Sequence, residues 1–86
     1  MERQKYRVDF LSYPTNNYVK SACGDITFYN QGSTNVTINN TLVIRPGGSV
    51  SLSANAGEID DTIYNFAFTD VPGLVNEIVI MRKIFF

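Results

Sequence analysis

The sequence predicts an all-β protein: a small antiparallel β-sandwich, Ig-like or jelly-roll-like, with about seven short strands and no substantial helix. Short runs in which apolar and polar residues alternate are typical of strands with one buried face. Turn residues separate these runs at intervals of roughly 8–12 residues, and no helical pattern with end caps competes with them. We expect residues 1–86 to form a single domain.

The N-terminal third predicts three strands. Residues 5–10 (KYRVDF) alternate charged with apolar side chains, so the apolar ones share one face of an extended chain. Residues 12–17 (SYPTNN) contain turn formers that interrupt this run, and a short strand begins at Tyr18. Residues 26–30 (ITFYN) alternate again and end in a turn at residues 30–33 (NQGS).

The central segment predicts three short strands joined by tight turns. Residues 36–38 (VTI) and 42–44 (LVI) flank residues 39–40 (NN), and asparagine accepts the left-handed conformation that a two-residue hairpin turn demands. Residues 45–48 (RPGG) turn the chain because proline lacks an N–H donor and glycine tolerates positive φ angles. Residues 50–54 (VSLSA) alternate once more.

Two longer strands complete the prediction. Residues 60–62 (DDT) lead into residues 63–68 (IYNFAF), whose core-facing positions are 64, 66 and 68. Residues 71–73 (VPG) turn the chain again. Residues 77–86 (EIVIMRKIFF) then form a final strand that is rich in β-branched and aromatic residues.

The final strand is apolar on both faces until its last residues. One face carries Ile78, Ile80, Arg82 and Ile84, and the other carries Val79, Met81, Lys83 and Phe85. A strand of this kind is central in a sheet or covered, and charges near its end mark where it emerges into water. We therefore expect residues 77–81 to pair inside a sheet, Arg82 and Lys83 to lie at its rim, and Phe85 and Phe86 to pack on the sheet or on a neighbouring subunit.

Composition excludes several functional classes. A net charge of −1 lacks the basic surface that nucleic-acid binding needs. Without histidine the chain cannot assemble a Ser/His/Asp or Cys/His arrangement, and we expect no enzymatic activity and no cofactor. No apolar run approaches the ~20 residues of a membrane helix. The polar residues 2–5 lack the apolar segment of a signal peptide, so we expect no secretion by the general route.

The core of so small a chain gives only marginal stability, and small proteins add stability through disulfides, a bound metal or association with other chains. Cys23 is the only cysteine, which excludes an internal disulfide, and with no histidine it excludes a structural zinc site. Association remains, and we expect a homo-oligomer or incorporation into a larger assembly.

Three carboxylates in GEIDD, Glu58, Asp60 and Asp61, allow two interpretations. Calcium takes oxygen ligands, but the spacing does not match an EF-hand loop. We therefore favour a solvated turn and expect no metal. The tyrosines Tyr13, Tyr18 and Tyr29 fall at loop or outward positions, where they could pack at a core or strand edge, stack on a sugar ring or fill a subunit interface.

Several turn and end motifs carry a resemblance to a known family. They are N-x-G at residues 30–32, P-G at residues 46–47, G-E-x-D at residues 57–60 and R-K-I-F at residues 82–85. With the strands between them, they make the chain similar to small β-sandwich virion structural proteins of tailed bacteriophages. The resemblance implies a head-decoration, head-fibre or tail-associated subunit, made in the host cytoplasm and located in the virion. It brings no catalytic residues.

Our expectation is therefore an assembly protein that acts through contacts with its own copies or with other virion proteins. The alternative is a carbohydrate- or receptor-binding module on the same fold, because fold does not decide between them. Neither nucleic acid nor membrane is an expected partner. The candidate interface residues are Tyr13, Tyr18, Tyr29, Arg82, Lys83, Phe85 and Phe86.

Overall fold

The computed structural model describes residues 5–53 and 58–85, and it confirms the all-β class. No stretch of these residues is a helix that could cross a membrane. They form eight strands where the sequence predicts about seven. The strands are Tyr6–Tyr13 (β1), Asn17–Lys20 (β2), Asp25–Asn30 (β3), Val36–Ile38 (β4), Leu42–Ile44 (β5), Ser49–Leu52 (β6), Ile63–Phe68 (β7) and Ile78–Phe85 (β8).

The strands form two four-stranded antiparallel sheets. The β1 sheet has the order β1-β8-β3-β6, and the β2 sheet has the order β2-β7-β4-β5. Four antiparallel pairs, β1 with β8, β2 with β7, β3 with β6 and β4 with β5, are those of one long hairpin in which the first half of the chain pairs with the second. Two further pairs, β8 with β3 and β7 with β4, join the strands of each sheet when this hairpin folds into a sandwich. This connectivity is that of a jelly roll, which decides between the two sandwich types that the sequence predicts.

One buried cluster fills the space between the sheets. It is built from alternating apolar positions of β3, β4, β7 and β8, and in β8 the face with Ile78 and Ile80 is the buried one. Phe28 and Tyr64 meet across the two sheets with ring centroids 5.1 Å apart in an edge-on arrangement. The buried residues are Val19, Cys23, Ile26, Phe28, Val36, Ile38, Ile44, Tyr64, Phe66, Phe68, Ile78 and Ile80.

The turns follow the predicted turn residues. Asn39 and Asn40 have φ angles of 49° and 57°, the left-handed pair that a tight hairpin between β4 and β5 requires. Gly47 has a φ of 81° in the turn before β6, a conformation that side chains with a Cβ rarely adopt. Residue 54, at the predicted end of β6, lies outside the described residues.

Asn30 fixes the turn that follows β3. Its side chain is fully buried, and its Nδ2 donates to the carbonyls of Thr34 at 2.7 Å and Ile44 at 2.9 Å. Its Oδ1 accepts from the N–H of Gly32 at 3.1 Å. A Cβ on Gly32 would lie 2.5 Å from the carbonyl oxygen of Val75, so only glycine fits there without a backbone shift.

β8 lies between β1 and β3, so the expected central position of its first half is confirmed. The expectation that Arg82 lies in water at the rim is wrong. Its side chain is 18% exposed, and its guanidinium donates to the carbonyls of Lys20 at 2.9 Å and Ser21 at 3.3 Å and to Asp9 at 3.1 Å. These acceptors replace water, so the arginine joins the two sheets from inside.

Tyr13 belongs to β1 and not to the turn that the sequence predicts at residues 12–17, and of its open alternatives the structure shows packing against the core. Tyr13 is paired with Ile78 and shares the inner face of β1 with Leu11. Its ring centroid lies 5.2 Å from that of Phe66 in β7. Tyr13 is therefore half-buried against the core, because the β2 sheet covers this end of β1.

Candidate interaction surface

Three apolar side chains of β1 face solvent. Asp9, Leu11 and Tyr13 lie on the inner face of this strand, as their partial burial shows. Tyr6, Val8 and Phe10 consequently point away from the core, with exposures of 54%, 43% and 68%. The usual arrangement of a half-buried strand, apolar inside and polar outside, is reversed over this segment.

These three residues continue onto β8. In the ladder Phe10 is paired with Met81, and Met81 and Val79 alternate with the buried Ile78 and Ile80. Met81 and Val79 are half-buried and lie on the same outer face as Phe10. We call Tyr6, Val8, Phe10, Val79 and Met81 the apolar stripe.

The area of the stripe is large for so small a chain. At about 150–250 Å² for a whole aromatic side chain, the exposed parts of Tyr6 and Phe10 alone present roughly 200–300 Å². Val8, Val79 and Met81 bring the stripe into the range of about 300–600 Å² that the largest patch on a monomer reaches, and such patches are often functional.

Charged groups border the stripe on the β3 side. Lys83 Nζ lies 3.2 Å from Asp25 Oδ2 and 4.8 Å from the centre of the Tyr6 ring. Lys83 is about one-third exposed, so it is near water as the sequence predicts, but it is paired with Asp25. The border is therefore a neutral pair of opposite charges rather than a basic or acidic field.

A shallow depression of about 230 Å³ lies beside the stripe, lined by Val8, Asp25, Thr27, Met81, Arg82 and Lys83. Pockets that bury a drug-sized ligand have roughly 300–1,000 Å³ and enclose most of its surface. This depression is smaller and open, so it suits an inserted side chain better than a small molecule.

The candidate interface residues from the sequence do not form one surface. Tyr29 is 37% exposed and lies on the outer face of the β1 sheet, where it is paired with Val79 of the stripe. Tyr18 is 61% exposed but belongs to the other sheet. Phe85 is paired with Tyr6 in the ladder, and Phe86 lies outside the described residues.

Asp60 departs from the solvated turn predicted for GEIDD, whereas Glu58 and Asp61 are exposed. Its Oδ1 accepts from Ser21 Oγ at 3.0 Å and from the N–H of Thr62 at 2.9 Å, and its Oδ2 accepts from the Tyr64 hydroxyl at 2.6 Å. Asp61 faces Lys20, with 3.8 Å between Oδ1 and Nζ. Among the described residues no three acidic, cysteine or histidine side chains converge as a metal site would require.

Electrostatics support a structural role for this carboxylate. Burial opposes its ionisation, but hydrogen bonds from Tyr64, Thr62 and Ser21 outweigh burial and lower the pKa of Asp60 to about 2. Burial and the bond to Asp60 raise the pKa of Tyr64 to about 12. Burial, and then the charge of Asp60, raise the pKa of the Cys23 thiol, which disfavours the thiolate that a nucleophile needs.

The sequence contained a signal for the stripe that alternation alone could not interpret. Leu11 and Tyr13 are apolar at one parity of β1, and Tyr6, Val8 and Phe10 are apolar at the other. The sequence predicts the face with Tyr6, Val8 and Phe10 as the buried one, and the structure shows that this is wrong: Asp9, Leu11 and Tyr13 face the core. Only the position of the second sheet decides which face is covered. Searches against protein-family models and among curated proteins found no match to this chain.

Proposed function

We propose that this protein is a non-enzymatic structural subunit that acts through protein–protein contacts, and that it is part of a tailed-phage virion such as a head-decoration, head-fibre or tail-associated subunit. The apolar stripe is the observation that carries the protein–protein contacts, and the virion role rests on the resemblance of the turn and end motifs. The stripe is a contiguous apolar surface with an aromatic residue at each end of its β1 row, and aromatic residues and methionine are enriched in interfaces.

The charges around the stripe also favour a protein partner. The pair formed by Lys83 and Asp25 leaves no net charge to attract a nucleic acid or an anionic surface. The shallow depression offers a neighbouring protein a place for one inserted side chain. The jelly roll occurs in viral capsid proteins and in lectins, so the fold agrees with a virion role without selecting it.

A carbohydrate-binding role receives less support. The sequence suggested this role only through Tyr13, Tyr18 and Tyr29, as rings that could stack on a sugar. Tyr13 packs against the core, whereas Tyr18 and Tyr29 lie on different sheets. The tyrosines that suggested this alternative are therefore dispersed.

Particle incorporation tests the proposal. In the phage whose genome carries the gene, the protein should be present in purified particles at a fixed number of copies. Phe10→Lys should greatly reduce its incorporation, because a charge replaces the most exposed aromatic residue of the stripe. Tyr18→Lys is the matched control, since Tyr18 is similarly exposed on the β2 sheet, and it should leave incorporation unchanged.

Three results would overturn the proposal. They are a gene that lies outside any phage genome, particles that lack the protein, and equal incorporation of the Phe10→Lys and wild-type chains.

A further inference from the structure

The edge formed by β1 differs from the other three sheet edges. β1 has eight residues, whereas the edge strands β6, β2 and β5 have four, four and three. Within residues 5–53 and 58–85, β1 has β8 as its ladder neighbour, so alternate backbone N–H and C=O groups along its other side face outward. Short edges resist pairing with another chain, and a long edge with apolar side chains favours it.

The sequence of β1 is self-complementary about Val8. When two copies pair antiparallel with their two-fold axis at Val8, Tyr6 opposes Phe10 of the second copy, and Arg7 opposes Asp9 of the second copy. Directly opposed residues share one face, so the aromatic pairs lie outside and the charged pairs inside. An axis at Arg7 or at Asp9 would instead place like charges opposite each other.

We propose that the partner of β1 is a second copy of this chain, which pairs with it in this register and joins two β1 sheets into one eight-stranded sheet. The inference rests on the proposed assembly function, and it specifies the contact by which two copies of the chain would begin that assembly. The edge-to-edge ladder satisfies the outward backbone groups of both copies, and the charge pattern selects the register.

The geometry of the charged residues fits this arrangement. Arg82 holds Asp9 through Oδ2 at 3.1 Å, so the carboxylate is already fixed in position. Oδ1 of Asp9 lies 3.4 Å from Nε of Arg7 in the same chain. The Arg7 side chain is 64% exposed, so it can turn to Asp9 of the second copy without leaving a buried site.

Pairing of two copies along β1 would also enlarge the apolar surface available to other subunits. A stable interface buries about 800 Å² on each partner, which is more than one stripe supplies. Pairing along β1 places the stripes of both copies side by side on one face and roughly doubles the continuous apolar surface. That doubled surface is large enough to bind further subunits of an assembly.

Cross-linking tests the register. Val8→Cys places two thiols opposite each other at the axis, where cross-strand Cβ atoms are about 4.5–5.5 Å apart, close to disulfide distance. Mild oxidation should convert most of this variant into a covalent dimer. Phe10→Cys is the matched control, because its two thiols lie four residues apart along the ladder, about 13 Å. It should stay monomeric on a non-reducing gel, as should wild type, in which Cys23 is buried.

A charge exchange tests the same register without cysteine. Arg7→Glu and Asp9→Lys each place like charges opposite each other in a homodimer, so each should raise the dimer dissociation constant by at least about tenfold. Asp9→Lys also loses the bond to Arg82, so both variants are compared at a temperature at which their monomers are folded. An equimolar mixture restores opposite charges at both positions and should dimerise like wild type in sedimentation equilibrium.

The outcomes separate this inference from the proposed function. Absence of a Val8→Cys dimer, or preferential cross-linking of Phe10→Cys, would overturn the register whether or not the protein enters particles. If mixing Arg7→Glu with Asp9→Lys gives no heterodimer while Val8→Cys also fails to cross-link, β1 is not the contact. A Val8→Cys dimer formed by a protein that is absent from particles would support the β1 contact and remove the virion role.

Discussion

The outer faces of the two sheets expose similar apolar residues in different arrangements. On the β1 sheet three of them occupy alternate positions of β1, and the Phe10–Met81 pair continues the apolar stripe onto β8, although Val8 is opposed by Lys83. On the β2 sheet each is opposed in the ladder by a polar residue, with Tyr18 opposite Asn65, Ile63 opposite Lys20 and Val43 opposite Thr37. Scattered apolar residues are normal on a protein surface, whereas a contiguous group is not. Arrangement, rather than exposure, distinguishes the candidate surface.

The largest expected effect compares one residue type on the two sides of the β1 sheet. Phe28 is fully buried on the inner side, and Phe10 is 68% exposed on the outer side. Phe28→Ala should lower the free energy of unfolding by about 3–5 kcal/mol, because it leaves a cavity in the core. Phe10→Ala should cost less than about 1 kcal/mol in dilute, monomeric protein. Urea unfolding at low concentration measures both, and equal losses would show that Phe10 is part of the core.

A second expected effect concerns Arg82, the charged residue on the inner side. Arg82→Ala removes charge-assisted hydrogen bonds to Asp9 and to two backbone carbonyls. We expect a loss of about 2–3 kcal/mol in urea unfolding. Arg82→Lys is the control, since it keeps the charge but cannot reach all three acceptors, and it should recover part of the loss. An Arg82→Ala loss below about 1 kcal/mol would mean that the side chain is solvated after all.

The sequence predicts those parts of the fold that local pattern decides. Alternation identifies the buried positions of β4 and β7, and the paired asparagines identify the hairpin turn, because side-chain parity and turn conformation depend on adjacent residues. The strand order does not follow from local pattern, since pairs such as 1·8 join opposite ends of the chain.

The errors at single residues have the same origin. Arg82 lies on the inner side because it donates hydrogen bonds to acceptors 61 to 73 residues away in sequence. Asp60 accepts a hydrogen bond from Ser21, 39 residues away. The stripe was missed because only the position of the β2 sheet shows which parity of β1 is covered. Contacts distant in sequence therefore determined both the corrected residues and the candidate surface.

Acid should weaken the inner side of the sandwich through Asp60. Its pKa is about 2 in the folded protein and 3.8 as an ordinary value, so its contribution is complete above about pH 4 and is lost as the pH falls toward 2. The shift converts to at most about 2.4 kcal/mol, and solvent screening reduces this to roughly 1–2. Thermal or urea unfolding between pH 5 and 2 measures it.

Asp60→Asn supplies the control for this experiment, since other carboxylates also titrate in this range. The variant should be less stable at pH 7 and should lose less stability than wild type on acidification. Identical pH profiles for the two proteins would contradict the assignment of Asp60 as the acid-sensitive group.

The smallest expected effect concerns Lys83, which follows Arg82 in sequence but lies on the outer face. Its Nζ contacts Asp25 and the Tyr6 ring, and its side chain is 35% exposed. Pairs this exposed contribute about 0–1 kcal/mol, so Lys83→Ala should lower the free energy of unfolding by less than about 1 kcal/mol. The difference should shrink further in 1 M salt, where the screening length falls to about 3 Å.

Lys83→Arg keeps the charge and should match wild type at both salt concentrations. A Lys83→Ala loss as large as that of Arg82→Ala, or one that salt does not change, would contradict the contrast between the two faces. Either result would mean that Lys83 is as well shielded from water as Arg82.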